Sequence, residues 1–295
     1  MGAPGRSRGM SPEMERAHQA LRELVSLRSG GTVRDSRRAY EVWVEQFPLP
    51  AETVVAEWEF GEWVRTPSSA ADRVVLYLHG GAYRMGSPAT HRTLMAHVAT
   101  AAQAAVAFAD YPLAPEDPFP AAVDFARDAY VSLLDRFPAN RVAVAGESAG
   151  GGLGVALLLR LKDEGLPLPA AVAVNSPWMD LACGGDSMAL RAYRDPMLSR
   201  DSLLAAAGEY LAGESPLNAY ASPIHGDLTG LPPLLVQVGT EEILYDDAVA
   251  LAAKADARLI VVPDAPHVWH YFSAWLPEAR DALRAMGDHI LAATR

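Results

Sequence analysis

Residues 141–161 read RVAVAGESAGGGLGVALLLRL. The stretch opens as a short apolar strand and closes as a long apolar helix. Between them stand Gly146, Glu147, Ser148, Ala149 and Gly150, a G-x-S-x-G turn. A nucleophilic serine has to be lifted out of a sheet on a sharp, strained turn. Small residues two before and two after it let the backbone close that tightly. The following helix aims its N-terminus at the reacting oxygen and favours negative charge there. The N–H of Ala149 is then one oxyanion donor. The plain alternative is a glycine-rich turn with an incidental serine, and the strand-before, helix-after context argues against it. A nucleotide-binding turn fails on spacing, because neither G-x-G-x-x-G nor G-x-x-x-x-G-K-[ST] can be drawn here.

Outward from this stretch, strands alternate with helices from residue 73 onward. The strands are continuously apolar, as expected when both faces of a parallel sheet are covered. Strands are expected at 73–81, 104–111, 141–145, 170–175, 233–239 and 257–263, and helices at 91–102, 120–135, 149–163, 243–254 and 276–293. Nearer the N-terminus, Met14, Ala17, Leu21, Leu24 and Val25 recur at helical spacing over 11–27, behind a Ser11-Pro12-Glu13 start. Residues 39–46 and 53–65, rich in Val, Trp, Phe and Tyr, read as strands. The stretch 176–230 is too long for an ordinary connection and reads as an insertion packed over one end of the sheet.

Composition bounds the partners. The chain has 295 residues, half of them hydrophobic, and a formal net charge of -11. Such a surface excludes nucleic acid, whose phosphates need basic groups. The single cysteine, Cys183, forms no disulfide within the chain and no thiolate metal site, which fits a reducing, cytoplasmic setting. The first ten residues have no apolar run behind them, so no secretory signal is expected. Apolar runs such as Val155 to Leu159 are too short to span a membrane.

A second stretch supports the first. LHGGAYRMG at 78–86 ends the strand that begins at 73, and consecutive glycines let backbone N–H groups face one point in space. With it the sequence resembles the hormone-sensitive-lipase-like family of the α/β-hydrolase superfamily, its bacterial carboxylesterases and lipases. The resemblance rests on HGGAY at 79–83, DYPLAPEDPFPAA at 110–122, GESAGG at 146–151, SPWMDL at 176–181, VGTEEILYDDA at 238–248 and HVWHYF at 267–272, in the family's order. It implies an α/β-hydrolase fold: a mostly parallel eight-stranded sheet flanked by helices, with a helical cap. The catalytic domain would comprise 46–179 and 226–295, and the cap 1–45 and 180–225.

The remaining catalytic groups should follow Ser148 in the order acid, then histidine. Of eight histidines, four precede Ser148, His225 lies in the insertion and His289 in the last helix. That leaves His267 and His270. His267 matches the family's catalytic histidine, and imidazole suits proton transfer near neutral pH. The pair alone lacks the further ligands a metal needs, so no metal and no cofactor is expected. For the acid, Glu241, Glu242, Asp246 and Asp247 all lie close after the strand at 233–239. The family pattern points to Glu242, where most relatives carry aspartate; Glu241 and Asp246 stay open.

Gly80, Gly81, Ala82 and Ala149 are the expected oxyanion residues, with Gly80 shaping the loop. Ala82 replaces the family's third glycine, Glu147 replaces a common aspartate, and Pro112 replaces an arginine that builds a salt bridge in relatives. Tyr83, Trp178, Met188 and Tyr193, with Met197 and Tyr210, are candidates to line a substrate pocket, although aromatic and Met side chains are mostly core. Arg191 and Arg194 are candidate carboxylate binders, with a solvated helix face as the alternative.

The function implied is a serine carboxylesterase acting on small-molecule esters of short to medium chain through an acyl-enzyme. A specialised deacetylase, a lactone-opening enzyme or a dehydratase would use the same scaffold, as would a ligand-binding receptor lacking the histidine. The family's frequent use of its last strand and helix as a dimer surface makes a homodimer a candidate state.

Overall fold

The computed structural model describes residues 9–295. Its central sheet has eight strands: β1 (Val54–Trp58), β2 (Gly61–Arg65), β3 (Ala70–Leu78), β4 (Ala104–Ala109), β5 (Val142–Glu147), β6 (Ala171–Asn175), β7 (Leu234–Gly239) and β8 (Arg258–Val262). They are ordered β1-β2-β4-β3-β5-β6-β7-β8. β1 pairs with β2, and β2 with β4, antiparallel; every other pairing is parallel.

The continuously apolar strands are explained by helices on both faces. Side chains alternate along a strand, so Val74, Leu76 and Leu78 enter one core while Val75 and Tyr77 enter the other. The first core is closed by α4 (Ala121–Leu134), α5 (Ala149–Asp163) and α8 (Tyr245–Lys254). The second is closed by α3 (Pro88–Ala102) and α9 (Pro277–Ala293), which touch each other. At the joint, a Cβ on Gly287 of α9 would sit 2.2 Å from the Ala101 carbonyl oxygen, so only glycine lets the helices approach this closely.

Two helices precede the sheet, α1 (Pro12–Leu27) and α2 (Val33–Val44). Ser11 caps α1 by accepting the Met14 N–H at 3.1 Å. α2 corrects the expectation of a strand at 39–46. Its buried residues, Tyr40, Trp43 and Val44, sit three and four apart rather than alternating. A reciprocal capping box between Thr32 and Asp35 starts the helix. The expected strand at 53–65 is a hairpin of β1 and β2. Gly61 begins the return strand at φ 143°, where a Cβ would lie 2.3 Å from the Phe108 carbonyl oxygen.

The long stretch after β6 holds α6 (Ser187–Leu190) and α7 (Arg200–Leu211) among loops. Among the described residues no helix is long and apolar enough to cross a membrane.

Candidate active site

β3 and β5 are neighbours, but the chain leaves them in opposite directions: β3 leads through α3 to β4 on one side, β5 through α5 to β6 on the other. Such a reversal opens a crevice at the carboxyl ends of the two strands. Ser148 stands there, directly after β5, at φ 54° and ψ -124°. Backbone held in so sparse a region costs about 1–3 kcal/mol. The flanking glycines permit it. A Cβ on Gly146 would lie 2.5 Å from the Gly150 carbonyl oxygen, and one on Gly150 only 2.0 Å from that of Leu78. The Ser148 N–H donates to the Asn175 carbonyl at 2.9 Å, and the Ser148 carbonyl accepts the Trp178 N–H at 2.9 Å. The strand beside the turn thus holds it from both ends.

Ser148 Oγ lies 2.9 Å from His267 Nε2, and His267 Nδ1 lies 2.8 Å from Glu242 Oε2. A carboxylate can only accept, so Nδ1–H donates to Glu242 and Nε2 is left to accept the serine proton. Glu242 Oε1 accepts the Gly239 N–H at 2.6 Å and the Ser176 hydroxyl at 2.8 Å. Burial pushes the Glu242 carboxyl above the usual carboxylate range, opposed by its bonds from His267, Gly239 and Ser176.

The other acids near β7 face elsewhere. Glu241 pairs with Arg194, at 2.8 Å from its Nε. Asp246 accepts the Ser187 N–H at 2.8 Å, and Asp247 accepts those of Met179 and Asp180 at 2.7 and 3.0 Å. His270 points away into the core, where its Nε2 meets Gln237 Oε1 at 3.0 Å. Burial pushes its imidazole down to about 3, so it stays neutral.

The loop after β3 supplies the second wall. Gly81 and Ala82 both take positive φ, 118° and 55°. Their N–H groups have no hydrogen-bond acceptor among the described residues. The N–H of Ala149, at the first position of α5, has no acceptor within its own helix. The Gly80 N–H is already used: it donates to Glu147 Oε1 at 2.6 Å. The same oxygen accepts from His91 Nε2 at 2.9 Å, and Glu147 Oε2 accepts from the Tyr77 hydroxyl at 2.6 Å. Glutamate in place of aspartate thus reaches beneath the loop and ties it to the elbow. Pro112 forgoes the family's arginine, but Glu116 in the same segment forms an ion pair with Arg37 of α2 at 2.7 Å.

These groups open into a cavity of about 490 Å³. Val25, Arg28 and Tyr40 from the α1–α2 region and Met197, Leu198 and Leu203 from the long insertion line it. The expected lining set needs correction, because only Met197 of it reaches the cavity. Tyr83, Trp178, Met188 and Tyr210 are buried in the core, Tyr83 stacked on Tyr210 at 3.9 Å between ring centroids. Tyr193 is 85% exposed and points to solvent.

Neither Arg191 nor Arg194 lines the cavity to meet a substrate carboxylate, and neither is left to solvent alone. The Arg191 guanidinium lies 3.9 Å over the Tyr245 ring, and both arginines bind the loop that carries Glu242. Asp195 joins them from the cavity wall, accepting the Ile243 N–H at 3.0 Å and those of Met197 and Leu198.

Sequence reasoning missed Ser176, Arg28, Tyr40 and Asp195. Ser176 carried a signal: it directly follows the strand next to β5, where side chains face the same crevice. The other three had none, since only tertiary packing brings them to the cavity.

Comparison with known proteins places the chain. A family model described as the α/β hydrolase fold matches residues 75–271. A solved esterase from the bacterial hormone-sensitive lipase family superposes with a TM-score of 0.95 at 41% identity, covering 98% of this chain and 100% of that one. The chain belongs to the hormone-sensitive-lipase-like family of α/β hydrolases. Within curated members of this kind, an acetyl-hydrolase of Streptomyces hygroscopicus is 46% identical over 96% of this chain and 98% of its own. An esterase of Acinetobacter venetianus is 38% identical over 77% of each. An α/β hydrolase presents its nucleophile on the turn after the central strand, the position Ser148 holds here.

Proposed function

We propose that this hydrolase is a serine carboxylesterase in which Ser148, His267 and Glu242 act as nucleophile, base and orienting acid. The observation that carries the reading is the unbroken relay from Ser148 Oγ through both His267 nitrogens to Glu242, open to a cavity on the serine side. Ser148 attacks the ester carbonyl as His267 Nε2 takes its proton. The negative charge gathers on the carbonyl oxygen, where the N–H groups of Gly81, Ala82 and Ala149 receive it, with Gly80 held by Glu147 to shape the loop. The protonated His267 then gives its proton to the leaving alcohol. Water activated by the same imidazole hydrolyses the acyl-enzyme.

Residues 1–45 and 180–225 act in this reading as a cap over the catalytic domain formed by 46–179 and 226–295. The cavity volume of about 490 Å³ suits esters of short to medium chain. The enzyme works in the cytoplasm on small molecules, and a homodimer would use the β8 edge and α9. A second reading, removal of acetyl groups from a specific metabolite, is favoured by the 46%-identical relative named an acetyl-hydrolase.

Steady-state hydrolysis of p-nitrophenyl esters from acetate to decanoate tests the proposal. Turnover that peaks at short acyl chains and disappears in Ser148→Ala is expected. Folded wild-type protein inert toward every ester would reject general esterase activity and leave the acetyl-specific reading.

A further inference from the structure

Two arginines line the cavity, Arg28 and Arg84. Arg84 is engaged: its Nε lies 2.7 Å from Glu209 Oε2, an ion pair without hydrogen-bond alignment. Arg28 is not. It is the residue that ends α1, its side chain is half-buried, and its Nε is fully buried with no hydrogen-bond partner among the described residues. No described carboxylate forms an ion pair with it, and residues 1–8 contain no Asp or Glu that could.

The carboxylates that share the cavity wall are occupied. Glu147 is held by Gly80, His91 and Tyr77, and Asp195 by three backbone N–H groups. Nearby Arg37, which faces the same helix pair, is consumed by Glu116 and the carbonyls of Arg84 and Ala114. A cation at a helix C-terminus gains from the macrodipole. That gain would be met equally by a side chain folded back onto the α1 carbonyls or reaching into water. The two terminal nitrogens have no acceptor among the described residues either and, unlike Nε, are not sealed from the cavity, so a ligand that accepts from them offsets the cost of holding an unpaired guanidinium here.

We propose that Arg28 is an anion subsite of this cavity, and that the chain's own substrates are esters bearing an oxyanion group, such as a carboxylate, away from the scissile carbonyl. The inference rests on the hydrolase reading for the word ester, but not for the binding of the anion. A guanidinium edge presents two parallel donors that match a carboxylate, which makes the subsite selective for planar oxyanions over neutral groups of the same size. It also gives the α1 end a role in specificity while Ser148 and His267 perform the chemistry on the sheet side.

The test compares matched esters. The acyl-borne pair is the 4-nitrophenyl hemiester of adipate against 4-nitrophenyl 6-methylheptanoate; the alcohol-borne pair is 4-acetoxybenzoate against phenyl acetate. The readout is the ratio of kcat/KM within each pair, anionic over neutral. In one of the two pairs that ratio should fall at least about tenfold in Arg28→Met, the size of one lost hydrogen bond to a charged group. The pair that responds says which half of the ester carries the anion. Ratios that stay within twofold in both pairs overturn the proposal.

Direct titration of hexanoate and its neutral isostere hexanamide into Ser148→Ala, with and without Arg28→Met, keeps the test independent of turnover. Hexanoate should bind about tenfold more tightly than hexanamide only when Arg28 is present, and equal binding of acid and amide in the presence of Arg28 contradicts the subsite. If Arg28→Met does not fold, Arg28→Lys replaces it. Lysine keeps the charge but not the fork, and a partial loss of preference is then expected, with an unchanged preference counting against the proposal. Loss of the esterase reading would show instead as neutral esters that wild type and Ser148→Ala treat alike.

Discussion

The floor of the cavity and its roof are held in different ways. On the floor, Ser148, Glu242 and His267 are all buried, and the backbone around them is fastened to neighbouring strands by short hydrogen bonds. On the roof, Arg28 and Met197 are only half-buried, neighbouring Tyr193 turns outward, and one guanidinium has no partner. Chemistry needs groups fixed to a fraction of an ångström, and a sheet edge with glycine-dependent turns supplies that rigidity. Selection among substrates needs a surface that can vary, and helices and loops laid over the sheet supply it. The two meet at the β7–α8 loop, where Arg191, Arg194 and Asp195 of the roof grip the residues on either side of Glu242.

The largest effect is expected from separating two acids four residues apart. Glu242→Gln should lower kcat about a thousandfold or more, because an amide no longer fixes the His267 tautomer or stabilises its charged form. Asp246→Asn, whose carboxylate serves Ser187 instead, should leave kcat within a few-fold. Comparable losses in the two variants would mean that the floor and the roof share the acid function, and steady-state kinetics on one short ester decides it.

Beneath the floor, Glu147→Gln replaces an acceptor of three donors by a group with only one acceptor atom. A loss of about 3 kcal/mol in denaturant stability is expected, since a buried, satisfied charge is hard to replace singly. A drop in kcat of roughly tenfold or more should accompany it, from loosening of the Gly80–Ala82 loop. Stability lost without any change in kcat would show that Glu147 supports the core and not the oxyanion loop.

The pH dependence of stability gives a smaller contrast. Burial pushes the Asp247 carboxyl up to about 7, against the pull of the Met179 and Asp180 N–H groups. The folded state therefore holds this proton more tightly than the unfolded state. The contribution is present below the unfolded pKa near 3.8 and is lost as pH rises toward 7. Asp247→Asn keeps an acceptor for both N–H groups and should flatten the stability profile between pH 4 and pH 7, by a few kcal/mol at most. A profile as steep as that of wild type in this window contradicts the assignment. The smallest effects belong to the roof: Met197→Ala should shift the acyl preference a carbon or two longer with a few-fold change in KM, while Tyr193→Ala should change nothing beyond twofold.

The same division governs what the sequence makes legible. The elbow is readable because its causes are local: Gly146 and Gly150 must be glycine for Ser148 to sit where it does, and the strand and helix around them follow from apolar runs. Glu242 and His267 are readable through order along the chain and the family motifs around them. α2 is misread because Tyr40, Val42, Trp43 and Val44 form a β-prone run, while the structure buries only a helical face of it. The roof is misread for a related reason. Tyr83 and Trp178 stand within the motifs and Met188 in the insertion, but large apolar side chains are drawn into the core, and the cavity is left to residues that distant packing delivers. Nothing near Arg28 in the sequence says that it will share a cavity with Ser148.

The central claim is that Ser148 is the nucleophile that the relay activates. Reaction with diethyl 4-nitrophenyl phosphate tests it most directly, with 4-nitrophenolate release, intact-protein mass and peptide masses after digestion read on the same sample. The account predicts a burst of one equivalent, a single diethylphosphoryl adduct on the peptide containing Ser148, and loss of both in Ser148→Ala and in His267→Ala. An adduct on another residue, or esterase activity that survives complete modification, would contradict it.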